Sequence, residues 1–167
     1  TEKTVIETRS IDYSIVLCFA SIAMAAVTSL FPRESVKYLV HYIVAFVMLT
    51  IIVSSIDSAG KLEALVTAVC TGTFLSAVYG IYQWKVIGVA VDPSTTDLRL
   101  NAELGGRVYS TMGNANIYGE LLVLTIPFFI SLFLNSKSLL KKAICLISLI
   151  PVIIILFKTG SRGAWIA

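Results

Sequence analysis

The stretch "ALVTAVCTGTFLSAVYGIYQW", Ala64 to Trp84, runs for 21 residues without one charged side chain. An α-helix needs roughly 20 apolar residues to cross a hydrocarbon core about 30 Å thick, so this run reads as a membrane span. Working outward, Tyr13 to Pro32 and Tyr38 to Ile56 are free of Asp, Glu, Lys and Arg in the same way. Leu121 to Ser136 and Ala143 to Phe157 are shorter, but they lengthen if Ile117 to Glu120 join the fourth run and Lys141 and Lys142 snorkel at the start of the fifth. The composition agrees: 57% of the 167 residues are hydrophobic, 14% are charged, and the mean hydropathy is +0.88. The expected fold class is all-α: a polytopic integral membrane protein with five transmembrane helices and the start of a sixth, and one long polar extracytoplasmic loop. Residues 1–167 form a single transmembrane helical domain in this reading, incomplete at its C-terminus because "SRGAWIA" opens a new apolar segment.

The first span reads as an anchor, since the basic stretch "TEKTVIETRS" leads into it with no small-residue cleavage site and further spans follow. Cys18, Cys70 and Cys145 fall in three different apolar runs without metal-ligand spacing, which makes them buried packing residues. The net charge of +3 is spread over the loops with no basic cluster interleaved with aromatics, and this excludes nucleic acid as a partner. The lipid bilayer is the expected solvent.

The loops, in order, are "PRESVK", "DSAGK", a long segment from Lys85 to Asn116, "NSKSLLKK" and "KTGSRG". If every span crosses fully, the long segment and "KTGSRG" emerge on the same face. "NSKSLLKK" is the most basic compact loop, and the positive-inside rule puts it and the N-terminus in the cytoplasm. Arg107 and Arg162 are then outside, where their charge serves chemistry and not topology. Tyr79, Tyr82 and Trp84 close the third span as an interfacial aromatic belt, and Pro127 and Pro151 are expected to bend or break the fourth and fifth helices. His41 reads as a neutral histidine bonded to a neighbouring helix, and Asp57, Lys61 and Glu63 as a solvated loop.

One polar stretch, "GGRVYSTMGNANIYGE" from Gly105 to Glu120, stands out among the apolar runs. Arginine keeps its charge at any accessible pH and offers a planar fork of donors that suits phosphate oxygens. Around Arg107, the hydroxyls of Tyr109, Ser110 and Thr111 and the amides of Asn114 and Asn116 add neutral donors, and Gly113 lets backbone approach a ligand. Asn114 and Asn116 are also helix-capping residues, with Glu120 suited to the helix dipole. Arg162, in the last loop on the same face, can converge with Arg107. The pattern suggests recognition of an anionic, polyhydroxylated group at the membrane surface. Asp92, Asp97 and Glu103 are scattered through one loop and form no magnesium-binding cluster, so no metal or other cofactor is expected.

"GRVYSTMGNANIYGELLVLTIPFF", followed by "LFKTGSRGAWIA", resembles the O-antigen ligase and O-antigen polymerase superfamily. Arg107, Ser110, Thr111, Gly113, Asn114 and Asn116 match its first motif, with Ala115 in place of the usual proline, and Thr159, Ser161, Arg162, Gly163 and Ala164 match its second. The resemblance is carried by Arg107 to Ala167; over the first hundred residues only hydropathy supports it. It implies a bacterial cytoplasmic (inner) membrane enzyme, multi-pass, that moves a glycan from an undecaprenyl-diphosphate carrier to a hydroxyl of a glycan, lipid or protein acceptor. Arg107 and Arg162 would hold the diphosphate on the extracytoplasmic side, and Tyr109, Ser110, Thr111, Gly113, Asn114, Asn116, Thr159 and Ser161 would shape the site. The catalytic base is expected beyond Ala167, in a later loop, so these residues alone are expected to be inactive. Two readings of another class are an anion transporter, weakened by the apolar mid-span positions, and a non-catalytic membrane subunit.

Overall fold

The computed structural model describes residues 8–89 and 106–166, and every long regular element among them is a helix. The chain divides into two compact units, Thr1–Asp57 and Ser58–Ala167.

The first unit holds α1, Thr8–Val27, packed on α2, Pro32–Ser55. The proline sits in the first turn of α2, where its missing N–H would have had no intrahelical partner. Ser29 closes the preceding turn: its Oγ accepts from the Phe31 amide at 3.1 Å and from the Ser35 hydroxyl at 2.6 Å. Phe19 of α1 meets Phe46 of α2 with ring centroids 5.9 Å apart. Two expectations are corrected here. His41 is exposed, and among the described residues the partner of its Nδ1 is the Lys37 carbonyl of its own helix at 2.7 Å, one turn back. Cys18 is exposed, because the two helices that the described residues of this unit form can cover only one stripe of each other.

The second unit contains α3, Ala59–Tyr82, α4, Ala115–Asn135, α5, Leu139–Lys158, and the short α6, Arg162–Ile166. Ser58, Asn114 and Ser138 cap α3, α4 and α5 by accepting amide N–H groups of their first turns. Helices α3, α4 and α5 pack on one another around Ala77, Tyr118, Leu122, Phe129, Val152 and Ile155, with Val108 of the incoming segment inserted among them. Pro127 and Pro151 lie inside α4 and α5, and neither helix is interrupted. Lys61 and Glu63, expected in a loop, belong to the start of α3, where Glu63 reaches Lys141 at 3.4 Å. Cys70 is buried and Cys145 half-buried, as a packing role requires.

At its far end α3 passes directly into a π-helical turn, Gln83–Ile87. The sequence put Lys85 at the start of a loop; the helix instead carries it, and the chain leaves only at Gly88, whose φ of +79° is readily accessible to glycine.

Among the described residues, four helical segments, Arg33–Ser55, Ala59–Ile87, Ala115–Asn135 and Leu139–Lys158, are long and apolar enough to cross a membrane. Of the most apolar window in each, no more than 28% is buried within the chain, and none of it in α2. Such a surface is costly in water and at home among acyl chains. The apolar part of α1, Ile15–Val27, is shorter than these four. Hydroxyls inside the spans bond back to their own helix, as with Thr67 to the Glu63 carbonyl at 2.7 Å, Thr71 to the Thr67 carbonyl at 2.8 Å and Thr125 to the Leu121 carbonyl at 3.0 Å. Each of these three hydroxyls is thereby satisfied without water in an apolar medium.

Candidate functional site

The polar end of the second unit is built where α3 and α5 finish and α4 and α6 begin. Two segments far apart in sequence meet there. The Val108 amide donates to the Lys158 carbonyl at 3.0 Å, and Arg107 Nε donates to the Thr159 carbonyl at 2.7 Å. Arg107 Nη2 also donates to Asn116 Oδ1 on the first turn of α4. One guanidinium thus ties the approach to α4 to the turn after α5. It has five N–H donors, and among the described residues these two are the ones taken.

Ser110 is the hub on the other side of Arg107. It is buried, and its φ of +49° makes it the non-glycine residue with left-handed backbone among the described residues. Such a conformation is uncommon outside glycine and asparagine and persists only where its surroundings over-determine it. Here they do. The Ser110 amide donates to Oε1 of the buried Gln83 at 2.9 Å, its hydroxyl donates to the Ser76 carbonyl at 2.7 Å, and Ser76 Oγ lies 3.1 Å from Ser110 Oγ. Ser76 Oγ also lies 3.4 Å from Thr111 Oγ1 and donates to the Tyr118 hydroxyl at 3.3 Å. The result is a chain of hydroxyls linking α3, the polar stretch and α4.

Asn114 caps α4 as expected, with Oδ1 accepting from the Asn116 amide at 2.8 Å and from the Ile117 amide at 3.4 Å. Asn116 does not cap; its side chain faces Arg107. After α5, the fully buried Thr159 donates its hydroxyl to the Leu156 carbonyl at 2.7 Å and accepts from the Ser161 amide at 3.3 Å. Gly160 turns the chain at φ +61°, and a Cβ there would stand 3.2 Å from Arg107 Nε. Gly119 of α4 lets α6 approach: a Cβ would meet those of Ser161 at 3.0 Å and Ala164 at 3.1 Å.

Of the residues singled out in the sequence, Arg107, Ser110, Thr111, Asn114, Asn116, Thr159 and Ser161 gather at this end. Tyr109 is half-buried beside them and Gly113 makes its turn at φ +71°. Arg162 is exposed at the first position of α6, three residues past the carbonyl that holds Arg107, and forms no hydrogen bond or ion pair among the described residues. Ser76, Gln83, Tyr118 and Gly119 were not singled out. Gln83 alone had a visible signal, an amide inside the end of a charge-free run. Asp92, Asp97 and Glu103 lie outside the described residues, as does half of the long loop.

Comparisons with models of known protein families, with curated proteins and with solved structures found no match.

Proposed function

We propose that this chain is the diphosphate-holding part of a membrane glycosyltransferase of the O-antigen ligase and polymerase kind. It would cross a bacterial cytoplasmic membrane five times and begin a sixth span, with the Arg107 and Arg162 segments outside. The observation that carries this reading is the bond from Arg107 to the Thr159 carbonyl, which joins the two motif segments on which the resemblance rests. When a sugar hydroxyl attacks the anomeric carbon of a carrier-linked glycan, that C–O bond breaks and negative charge grows on the departing diphosphate. Arg107 is already fixed by two acceptors, so its remaining N–H groups need little reorganisation to meet that charge. Arg162, on the neighbouring turn and without a partner among the described residues, supplies a second fork without a metal ion. The acceptor, whether glycan, lipid or protein, decides between polymerase and ligase.

The test places the protein that carries this chain in liposomes with a labelled undecaprenyl-diphosphate oligosaccharide. A ladder of regularly longer glycans supports a polymerase, and a single product on addition of a lipid or protein acceptor supports a ligase. An unchanged donor with every acceptor class rejects the transfer reading.

A further inference from the structure

Trp84 carries two lysines on one indole. Lys85 Nζ lies 4.0 Å from the ring centroid and Lys158 Nζ 4.3 Å, so the two ammonium groups stand within twice that distance of each other. Each contact alone is a favourable cation–π pair, and Lys158 in the last turn of α5 also suits the helix dipole. Together they hold two like charges against one ring. Both lysines are exposed, and neither forms an ion pair with a carboxylate among the described residues. Glu120, in the second turn of α4, pairs with neither. The π-helical turn is what keeps Lys85 on ordered backbone beside Trp84. Lys158 is bound to the arginine segment: its carbonyl accepts from the Val108 amide, and the next carbonyl accepts from Arg107.

We infer that Trp84, Lys85 and Lys158 form a second phosphate site, distinct from Arg107 and Arg162, which receives the phosphorylated head of a lipid. Phosphate oxygens of one headgroup, or of two neighbouring ones, take charge-assisted bonds of about 2.8 Å from the two ammonium groups and offset their like charge. The indole supplies an amphipathic wall at the level where α3 leaves its apolar run, the depth at which lipid phosphates lie. This inference requires the membrane assignment and does not require the transfer reaction. The lipid is either a bulk anionic phospholipid or a polyprenyl diphosphate, which share the phosphate chemistry.

The 167 residues hold two tryptophans, so Trp165→Phe, with any tryptophan of the carrying protein outside them also changed to Phe, leaves Trp84 as the only indole. That variant, in phosphatidylcholine vesicles at low salt, is titrated first with phosphatidylglycerol and separately with a polyprenyl diphosphate, reading Trp84 emission. The expected result is a saturable change whose midpoint weakens roughly tenfold or more in the Lys85→Gln/Lys158→Gln variant and with added salt, while unfolding stays cooperative and shifts only by the loss of two exposed cation–π contacts and a helix-end charge. A much tighter midpoint for the polyprenyl diphosphate identifies the carrier, and equal midpoints per phosphate identify the bulk lipid; both support the site. No emission change with either lipid, or the same midpoint in the double variant, overturns it, including the case in which a carboxylate of the chain itself already occupies the lysines. Failure of glycan transfer with the titration intact would reject the transfer reading alone.

Discussion

Arg107 Nε stands 2.7 Å from the carbonyl oxygen of Thr159, a bond across 52 positions of sequence that fixes the guanidinium before any ligand arrives. Arg162, three residues beyond that carbonyl, has no such tether among the described residues. The two arginines therefore differ in what they do for the fold, although the resemblance gives them one role.

That difference predicts separable phenotypes. Arg107→Ala removes two hydrogen bonds from a charged group and lowers stability by about 1–3 kcal/mol. It also lowers transfer by about 10²–10³-fold, the usual cost of losing one preorganised donor to developing charge. Arg162→Ala lowers transfer to a similar degree and leaves the unfolding midpoint where it was. Arg107→Lys keeps the charge but cannot serve the Thr159 carbonyl and Asn116 together, so it behaves like alanine in activity. Unfolding in detergent and transfer in liposomes read the two effects; a destabilised Arg162→Ala protein contradicts the prediction.

Ser110 is a test of backbone and not of burial. Glycine at this position loses the hydroxyl bond to Ser76, about 1 kcal/mol, but accepts φ +49° freely. Valine loses the same bond and adds a β-branched side chain to a left-handed backbone, at a further cost of about 1–3 kcal/mol. The expected order of stability is serine, then glycine, then valine, although valine is the most apolar of the three and the site is buried. Equal midpoints for the last two would show that the left-handed turn is not retained. Gln83→Leu should fall near valine, because it strands the buried Ser110 amide.

Gly119 and Gly72 give a matched pair. Both are helical, and alanine is favoured over glycine in a helix by about 1 kcal/mol. A Cβ added at Gly72 would have nothing within 4 Å, so Gly72→Ala gains that amount. At Gly119 the new methyl meets the Cβ atoms of Ser161 and Ala164, which are fixed to the backbone and cannot swing away, and overpacking of about 1–3 kcal/mol prevails. Gly119→Ala should therefore be less stable than the parent and should displace the turn that carries Arg162. Opposite shifts of the unfolding midpoint in the two variants are the expected reading.

Much of this architecture is legible in the sequence, and the limits have physical reasons. Charge-free runs mark the helices because a span must exclude charge, and α3, α4 and α5 follow them closely. The polar stretch and the turn after α5 are visible because arginine, asparagine and glycine at helix ends carry specific geometric demands. Ser76 and Tyr118 carry none: each is an ordinary residue of an apolar run until its partner arrives, and that partner is 34 or 42 positions away. The π-helical turn has no periodic signature over its five residues, so Lys85 looked like the first loop residue when it is the companion of Trp84. His41 misled for the opposite reason, since an ionisable group in an apolar run suggests a partner across helices while a carbonyl one turn back satisfies it locally.

Asn116 offers the sharpest test of whether Arg107 is kept available for an anion. Its Oδ1 accepts from Arg107 Nη2, a neutral partner that orients the guanidinium without cancelling its charge. Asn116→Asp makes that partner a carboxylate. In this partly exposed position the new ion pair adds at most about 1 kcal/mol to stability. It also neutralises Arg107 toward a diphosphate, so anion affinity and transfer fall by about tenfold, with the loss reduced at high ionic strength as the pair is screened. Asn116→Leu does the reverse, lowering stability slightly while leaving the charge of Arg107 unopposed. Across the series aspartate, asparagine, leucine, stability should fall, and aspartate should be the least active despite being the most stable. A stability loss in aspartate would place the side chain away from Arg107, and full activity in aspartate would mean that the charge of Arg107 does not meet the substrate.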